Sequence, residues 1–268
     1  MRAAVIQLNS QTDVADNLRR IEALVADAAG AGAKLLVLPE NFAFLGEEGE
    51  KQSVAESTED ADAGPITRAV RALAQKHGAW IVAGGMPEAS SDRARPFNTS
   101  LLAAPDGRIV ARYRKIHLFD IDLPGARHLE SGGTTAGSEP VVAAVDDVKL
   151  GMTIFYDLRF PELYRKLVAE GVRIITVPAA FTLTTGKDHW HVLLRARAIE
   201  NQVFVLAAAQ HGKHGQGRLT YGKSLIVDPW GDVLAQAPEG EGYALATLDF
   251  SAQDRTRASL PCLTHRRL

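Results

Sequence analysis

KLGMTIFYDLRFPELYRKLVAEGVRIITVP occupies residues 149–178. Lys149 to Phe155 is an apolar run of strand type. A helix follows from about Phe160 to Glu170, and Arg173 to Val177 forms a second strand that ends at Pro178. This is a βαβ unit, and its first crossing is the informative one. The strand ends in a turn that opens a helix at Arg159-Phe160-Pro161-Glu162. Such a turn is well placed to present a reactive atom, because backbone N–H groups at a helix start favour negative charge. The residue at its tip is Phe155, which has no reactive atom.

The same rhythm extends in both directions. Ala3 to Leu8 is a strand; Asp13 caps a helix carrying Leu18, Ile21, Leu24, Val25 and Ala28; Leu35 to Leu38 is a short buried strand ending at Pro39-Glu40. Gly64-Pro65 opens a helix through Val70, Leu73 and Ala74, and Trp80 to Ala83 is a strand stopped by Gly84-Gly85. Beyond Pro178 come a helix from about Asp188 to Glu200 and the strand Val203 to Ala209. Alternating strands and helices make an α/β protein with sheets inside and helices outside.

Two hairpins interrupt the alternation and resemble each other. TSLLAAPDGRIVA (Thr99 to Ala111) aligns with KSLIVDPWGDVLA (Lys223 to Ala235), sharing Ser, Leu, Pro, Gly and Ala at matching offsets. Pro-Asp-Gly and Pro-Trp-Gly are turn signals between apolar runs. Either these are two ordinary hairpins, or the chain is a pseudo-repeat of two α/β halves stacked sheet on sheet. No linker separates the halves. Residues 46–63, rich in Glu, Asp, Ser and Ala, are expected to be a solvated loop, so residues 1–268 are read as one domain.

The bulk numbers narrow the function. The chain has 268 residues, 46% apolar and 23% charged, with a net charge of −2. That is ordinary for a soluble globular protein and points to no nucleic-acid or membrane surface. No apolar run approaches the roughly 20 residues of a membrane span, and MRAAVIQLNS reads straight into a strand rather than a signal peptide. Cys262 is the single cysteine, which excludes an internal disulfide and multi-cysteine metal sites. A reducing cytoplasm is the expected location. His189 and His191 lie two apart and face different sides of a helix, and His211 and His214 sit in a glycine-rich loop without a nucleotide-binding pattern. No metal site is expected.

Candidate chemistry collects at strand ends, where sites form in α/β sheets. Glu40 ends the apolar strand LLVLPE and is partly withdrawn from water, as a general base requires; it could equally cap a loop. Lys115, in RYRKIHLFD, could hold an oxyanion beside a carboxylate or simply be a basic strand end. Glu130, in HLESGG, reads by itself as a loop residue. Arg159 could bind a carboxylate in bidentate fashion or serve a structural ion pair.

Taken together, LLVLPENF, RYRKIHLFD, GMTIFYDLRFPELYR, HWHVLLRARAIENQVFVLAAAQ, YGKSLIVDPWG and the tail LPCLTHRR resemble the nitrilase superfamily of carbon–nitrogen hydrolases over nearly the whole chain. Within it, HLFDIDLPG, DLRFPELYR, PAAFTLTTGKDHWHVLLRARAIE and YGKSLIVDPWG are most similar to the branch of ω-amidases and deaminated-glutathione amidases. The resemblance implies a four-layer αββα sandwich with pseudo-two-fold halves. It also implies pairing into a homodimer or higher oligomer, with the tail of about residues 250–268 at the interface. It implies no cofactor, and a small-molecule amide or carboxylate as partner. It assigns Glu40 as general base, Lys115 as oxyanion holder and Glu130 as the second glutamate. The N–H of Tyr156 would complete the oxyanion hole, with Asp157 beside it, Arg159 would hold a substrate carboxylate, and Thr182 and Thr185 would form the opposite wall.

The family motif expects cysteine at position 155. Phenylalanine closes the covalent route, and its ring is expected to fill the space of the substrate carbonyl at a cost of about 1–3 kcal/mol unless a pocket accepts it. Cys262 belongs to the tail, Thr153 lies deeper in the strand, and Tyr156 points the other way, so none is an expected substitute. Three explanations stand. The chain is a variant of a working amidase, since one base change turns a cysteine codon into a phenylalanine codon. It is a pseudoenzyme that binds a metabolite or a protein. Or it is a hydrolase with another nucleophile.

Overall fold

The computed structural model describes residues 1–59, 63–123, 126–215 and 217–267. Residues 60–62 of the acidic stretch, Pro124-Gly125 of HLFDIDLPG and the terminal Leu268 therefore lie outside the described residues.

Strand β1 (Arg2–Gln7) leads into α1 (Val14–Gly30), which starts where Asp13 accepts the Asp16 N–H at 3.0 Å. An N-cap of this kind satisfies a donor that the helix cannot. After β2 (Leu35–Leu38), α2 (Pro65–His77) begins with proline at its first turn, where no N–H is needed. Its next two N–H groups, of Ile66 and Thr67, donate to the buried Glu56 carboxylate at 3.0 and 2.6 Å. Strands β3 (Trp80–Glu88), β4 (Phe97–Ala103) and β5 (Ile109–Arg114) follow, then a small hairpin of β6 (Asp120–Leu123) and β7 (Ala126–Leu129). Strands β8 (Val141–Val145) and β9 (Val148–Met152) open the second half, and α3 (Pro161–Ala169), β10 (Ile174–Thr176), α4 (Leu183–Asn201) and β11 (Phe204–Ala207) continue it. A hairpin of β12 (His211–His214) and β13 (Arg218–Tyr221) precedes β14 (Leu225–Val227), β15 (Val233–Gln236), β16 (Gly242–Thr247) and α5 (Phe250–Ser259).

Two six-stranded sheets form, ordered β16-β1-β2-β3-β4-β5 and β15-β14-β11-β10-β9-β8. Each has three central parallel strands, an antiparallel hairpin on one flank and an antiparallel strand on the other. The two aligned hairpins are β4–β5 and β14–β15, and both slip register at the same offset, between Leu102 and Ala103 and between Ile226 and Val227. The pseudo-repeat is therefore a repeat of topology. Alternation along the strands divides the core. Ala3, Val5, Leu35 and Val37 meet Leu150, Met152 and Ile174 between the sheets. Ala4, Ile6, Leu36 and Leu38 instead pack on Ile21, Val25, Val70 and Leu73 of α1 and α2. Among the described residues no helix is long and apolar enough to cross a membrane.

Three expectations are corrected. Gly84-Gly85 does not stop its strand: β3 continues to Glu88 through a register shift between Ala83 and Met86. Gly84 is there because the second sheet comes close, and Gly85 because Asn98 and Glu40 do. A Cβ on Gly84 would lie 2.1 Å from Pro178 Cβ and 2.5 Å from the Leu38 carbonyl oxygen. Helix α4 starts at Leu183, not Asp188, with Thr182 as its N-cap. The polar residues Thr182, Thr184 and Thr185 hide the start, because they are weak helix formers that suit a cap. The stretch 46–63 is not simply solvated: Lys51, Glu56 and Thr58 are buried. Glu56 serves α2, and Thr58 donates to the buried Glu88.

Gly84→Ala is expected to cost about 1–3 kcal/mol or more by overpacking the sheet contact. Gly30→Ala, whose methyl would meet nothing within 4 Å, is expected to be neutral or to stabilise by about 0.5 kcal/mol. Urea unfolding of the two variants checks this; equal midpoints would remove the close approach as the reason for Gly84.

Candidate active site

The first sheet supplies two charges from the ends of its strands, and the small hairpin supplies a third. Glu40 follows β2, Lys115 follows β5, and Glu130 follows β7 of the small hairpin. All three are almost wholly buried. Lys115 Nζ donates to Glu40 Oε1 at 3.0 Å and to Glu130 Oε1 and Oε2 at 3.1 and 2.8 Å. Glu40 Oε2 accepts the Ala180 N–H at 2.9 Å, and Glu130 Oε2 accepts the Phe119 N–H at 2.7 Å. Gln210 Nε2 donates to the Glu40 carbonyl oxygen at 3.0 Å and so holds the backbone of that loop.

Burial pushes the Glu130 carboxyl up, but the charges of Lys115 and Lys51 and the hydrogen bonds outweigh it, leaving the group at about 2. Burial likewise works against the charged Lys115, and the two carboxylates overcome it, so its ammonium is held above the ordinary lysine value. The arrangement is a lysine fixed in its charged state between two carboxylates.

The second sheet supplies the turn. Strand β9 ends at Met152, and a single 3₁₀ turn covers Phe155 to Arg159. Phe155 stands at φ +37°, a left-handed backbone that is unusual for a bulky residue. The surrounding bonds enforce it. Its N–H donates to the Pro178 carbonyl oxygen at 2.9 Å. Asp157 Oδ2 accepts from the Ile154 N–H at 2.8 Å and from the Tyr113 hydroxyl at 2.6 Å, and Oδ1 lies 2.7 Å from His117 Nδ1. Asp157 is fully buried beneath the turn, and its oxygens are spent on the scaffold.

The Phe155 ring turns inward and is 2% exposed. Lys115 Nζ lies 4.9 Å from the ring centroid. The rings of Phe119 and Phe181 meet it edge-on at 4.8 and 5.1 Å. The cavity left among Glu40, Lys115, Glu130 and Phe155 is about 10 Å³, closed by Lys51, Arg218, Phe119 and His128. That is room for about one water molecule. Among the described residues its lining contains no hydroxyl or thiol.

The structure thus brings together Glu40, Lys115, Glu130 and Phe155. The other candidates stand outside this cavity. Tyr156 packs its half-buried ring on Phe119 and Phe160 at 5.0 and 5.4 Å. The Arg159 guanidinium lies 5.4 Å from the Phe181 centroid and within 3.3 Å of His189 Nδ1. The Thr182 and Thr185 hydroxyls pair with each other at 2.7 Å. Thr153 is buried and donates to the Thr176 carbonyl oxygen at 2.7 Å, while Cys262 is exposed beyond α5. Sequence reading misses Asn98, Lys51 and Arg218. A buried asparagine opening an apolar hairpin strand is the signal for Asn98. Lys51 is masked by its acidic neighbours, and Arg218 by its glycine-rich loop.

The family model for carbon-nitrogen hydrolases matches residues 2–258. The deaminated glutathione amidase of Synechocystis is 43% identical over 268 residues, covering 98% of this chain and 97% of that one. The crystal structure of the Caenorhabditis elegans NitFhit protein superposes with a TM-score of 0.92 at 40% identity. It covers 99% of this chain, which spans 65% of that longer protein. Saccharomyces cerevisiae Nit3, a member of branch 10 of the nitrilase superfamily, superposes with a TM-score of 0.91 at 31% identity, covering 100% of this chain and 97% of that one.

Glu130 carries a pH signature. Its folded carboxyl sits at about 2, below the ordinary 4.5. A depressed carboxyl adds stability above the unfolded value and loses it as pH falls toward the folded one. Glu130→Gln is expected to lower stability at pH 7 by about 3 kcal/mol, by removing half of a buried ion pair, and to flatten the loss between roughly pH 4.5 and 2. Urea midpoints at several pH values check both; an unchanged acid slope would sink the linkage.

Proposed function

Since the chain belongs to the carbon–nitrogen hydrolase family, we propose that it is an amidase scaffold for small amides that carry a carboxylate, silenced at position 155. The substrates in view are an ω-amide of a dicarboxylate or a deaminated-glutathione-like peptide. The second is favoured by the names of the relatives, which are deaminated glutathione amidases.

With a thiol at position 155 the chemistry is complete. Glu40 takes the thiol proton, and the sulfur attacks the amide carbon. Lys115, held charged, stabilises the oxyanion of the tetrahedral intermediate. The leaving amine departs with a proton returned from Glu40, and a thioester remains. Water, deprotonated by Glu40, then attacks the thioester and releases the acid and the thiol. Glu130 keeps Lys115 in position throughout. In the chain as it stands no sulfur is present at that position, and the covalent step has no donor of electrons.

The observation that carries the reading is the Phe155 ring itself. It lies against Lys115, and a cavity of about 10 Å³ remains where a substrate carbonyl would sit. One water fits and an amide does not, so direct hydrolysis by an activated water is also unsupported. The same closure speaks against retained binding of a small carboxylate over Phe155. A homodimer in the cytoplasm, with the tail of about residues 250–268 at its interface, belongs to the same proposal.

The test is turnover by the protein and by its Phe155→Cys variant. Ammonia is followed from α-ketoglutaramate, and the released amine from deaminated glutathione. The variant is expected to exceed the parent by a factor on the order of 10⁴ or more, the scale of losing a nucleophile. Silence from both would overturn the amidase scaffold. Turnover by the parent would overturn the role given to Phe155.

A further inference from the structure

One polar group in the site has no place in the chemistry above. Asn98, on β4, is buried, and its Nδ2 donates to Glu40 Oε1 at 2.9 Å and to Glu130 Oε1 at 3.2 Å. Those are the two oxygens that Lys115 Nζ bridges at 3.0 and 3.1 Å. The carboxylates are therefore joined twice, once by a charged donor and once by a neutral one. The backbone links the donors as well, since the Lys115 N–H donates to the Asn98 carbonyl oxygen at 2.9 Å.

The other end of the amide agrees with this orientation. Asn98 Oδ1 is buried without a hydrogen-bond partner among the described residues, an arrangement that costs about 1–3 kcal/mol. Turning the amide over would aim that oxygen at two carboxylate oxygens, which is worse. The oxygen is accommodated by the bulge in β3: a Cβ on Gly85 would lie 2.4 Å from it. The fold leaves a side chain absent at position 85 and an acceptor unsatisfied at position 98. Both keep one N–H₂ group between two glutamates.

We infer that Asn98 is a positioning residue, which holds Glu40 and Glu130 in register while Lys115 turns from them toward the substrate oxygen. An ammonium has three protons, and here all three of its hydrogen bonds go to the glutamates. To donate to an oxyanion, Lys115 must release one. The neutral bridge then carries the shared load, so Glu40 stays turned to the nucleophile and does not swing away or capture a proton early. This rests on the amidase reading only for its role in turnover. The positioning itself is measurable without any substrate.

The experiment uses the Phe155→Cys protein as parent and adds Asn98→Ala, Asn98→Asp or Asn98→Ser. Alkylation of the thiol introduced at position 155 is followed with iodoacetamide against pH, by peptide mass spectrometry. The exposed Cys262 is the internal control thiol. The titratable and charged groups facing position 155 are Glu40, Lys115, Glu130, His128, Lys51 and Arg218, and every variant retains them. Losing the Asn98 donor leaves the carboxylates less stabilised, so the alkylation midpoint of the introduced thiol is expected to rise by about one pH unit. It should rise further in Asn98→Asp, which faces two carboxylates with a third, and by less in Asn98→Ser, which keeps one donor. The Cys262 midpoint should stay fixed. Where the parent turns over, kcat should fall about a hundredfold, the scale of a small misplacement, with KM little changed.

A midpoint at position 155 that is unmoved in Asn98→Ala overturns the inference, as does a shift shared by Cys262. If Asn98→Ala does not fold, Asn98→Ser decides on the same readout. A parent that alkylates normally but hydrolyses no amide removes the amidase reading and leaves the positioning of Asn98 to stand or fall on its own profile.

Discussion

The site depends on one buried cation. Lys115 has almost no solvent exposure, and its ammonium is held by two carboxylates that are equally buried. Taking such charges out of water costs several kcal/mol each, and attraction repays it only with good geometry and further hydrogen bonds. Those bonds come from distant places: the Ala180 N–H, the Phe119 N–H and the Asn98 amide. The cluster thus requires the first sheet, the small hairpin and the second sheet to be in register at once. A protein seeking stability alone would do as well with apolar residues here. The cluster is better explained by what a fixed, charged lysine beside a carboxylate can do.

Phe155 uses the same frame differently. Its left-handed backbone costs of order 1–3 kcal/mol and is imposed by the Asp157 bonds and the Pro178 carbonyl. A ring on that backbone points into the site, where Phe119, Phe181 and the Lys115 ammonium receive it. Aromatic edge contacts bring about 0.5–1.5 kcal/mol each, and an ammonium over a ring brings a similar amount. The ring is therefore accommodated by edge contacts and by the ammonium, and the charge cluster beside it keeps its hydrogen bonds. On the reading proposed above, a loss confined to one position leaves this pattern.

Much of this was legible from the chain. The apolar runs gave the strands, and Asp13 and Pro65 gave helix starts, because capping chemistry is local. The matched hairpins left two readings open, and their register shifts at one offset favour the repeat: the bulge is part of the repeated turn. Glu40, Lys115 and Glu130 were legible through motifs rather than through any property of single residues. Gly84-Gly85 misled because a strand-stopping pair and a bulge under a close contact look alike without the opposing Pro178. Lys51 was hidden for the same reason. Its burial depends on where the loop lands, which composition cannot express. The Phe181 ring between Arg159 and Phe155 was equally out of reach, since it belongs to the connection between β10 and α4.

The repeat also explains where the site can be. Strands β2 and β10 both run into proline, at Pro39 and Pro178, and the residue after it is Glu40 in one half and Ala179 in the other. The two turns meet across the interface between the sheets. Pro178 presses on Gly84, its carbonyl takes the Phe155 N–H, and the Ala180 N–H reaches Glu40. One half spends its turn on a carboxylate, and the other spends the equivalent turn on backbone groups that fix that carboxylate and the residue at 155. A symmetric scaffold can hold a site on its axis only if the halves diverge there. Ala180 in one half gives its N–H to the glutamate of the other. Further elements of the site follow that division: Glu40 and Lys115 on the first sheet, the strained turn on the second, and the glycine bulge where the two come closest.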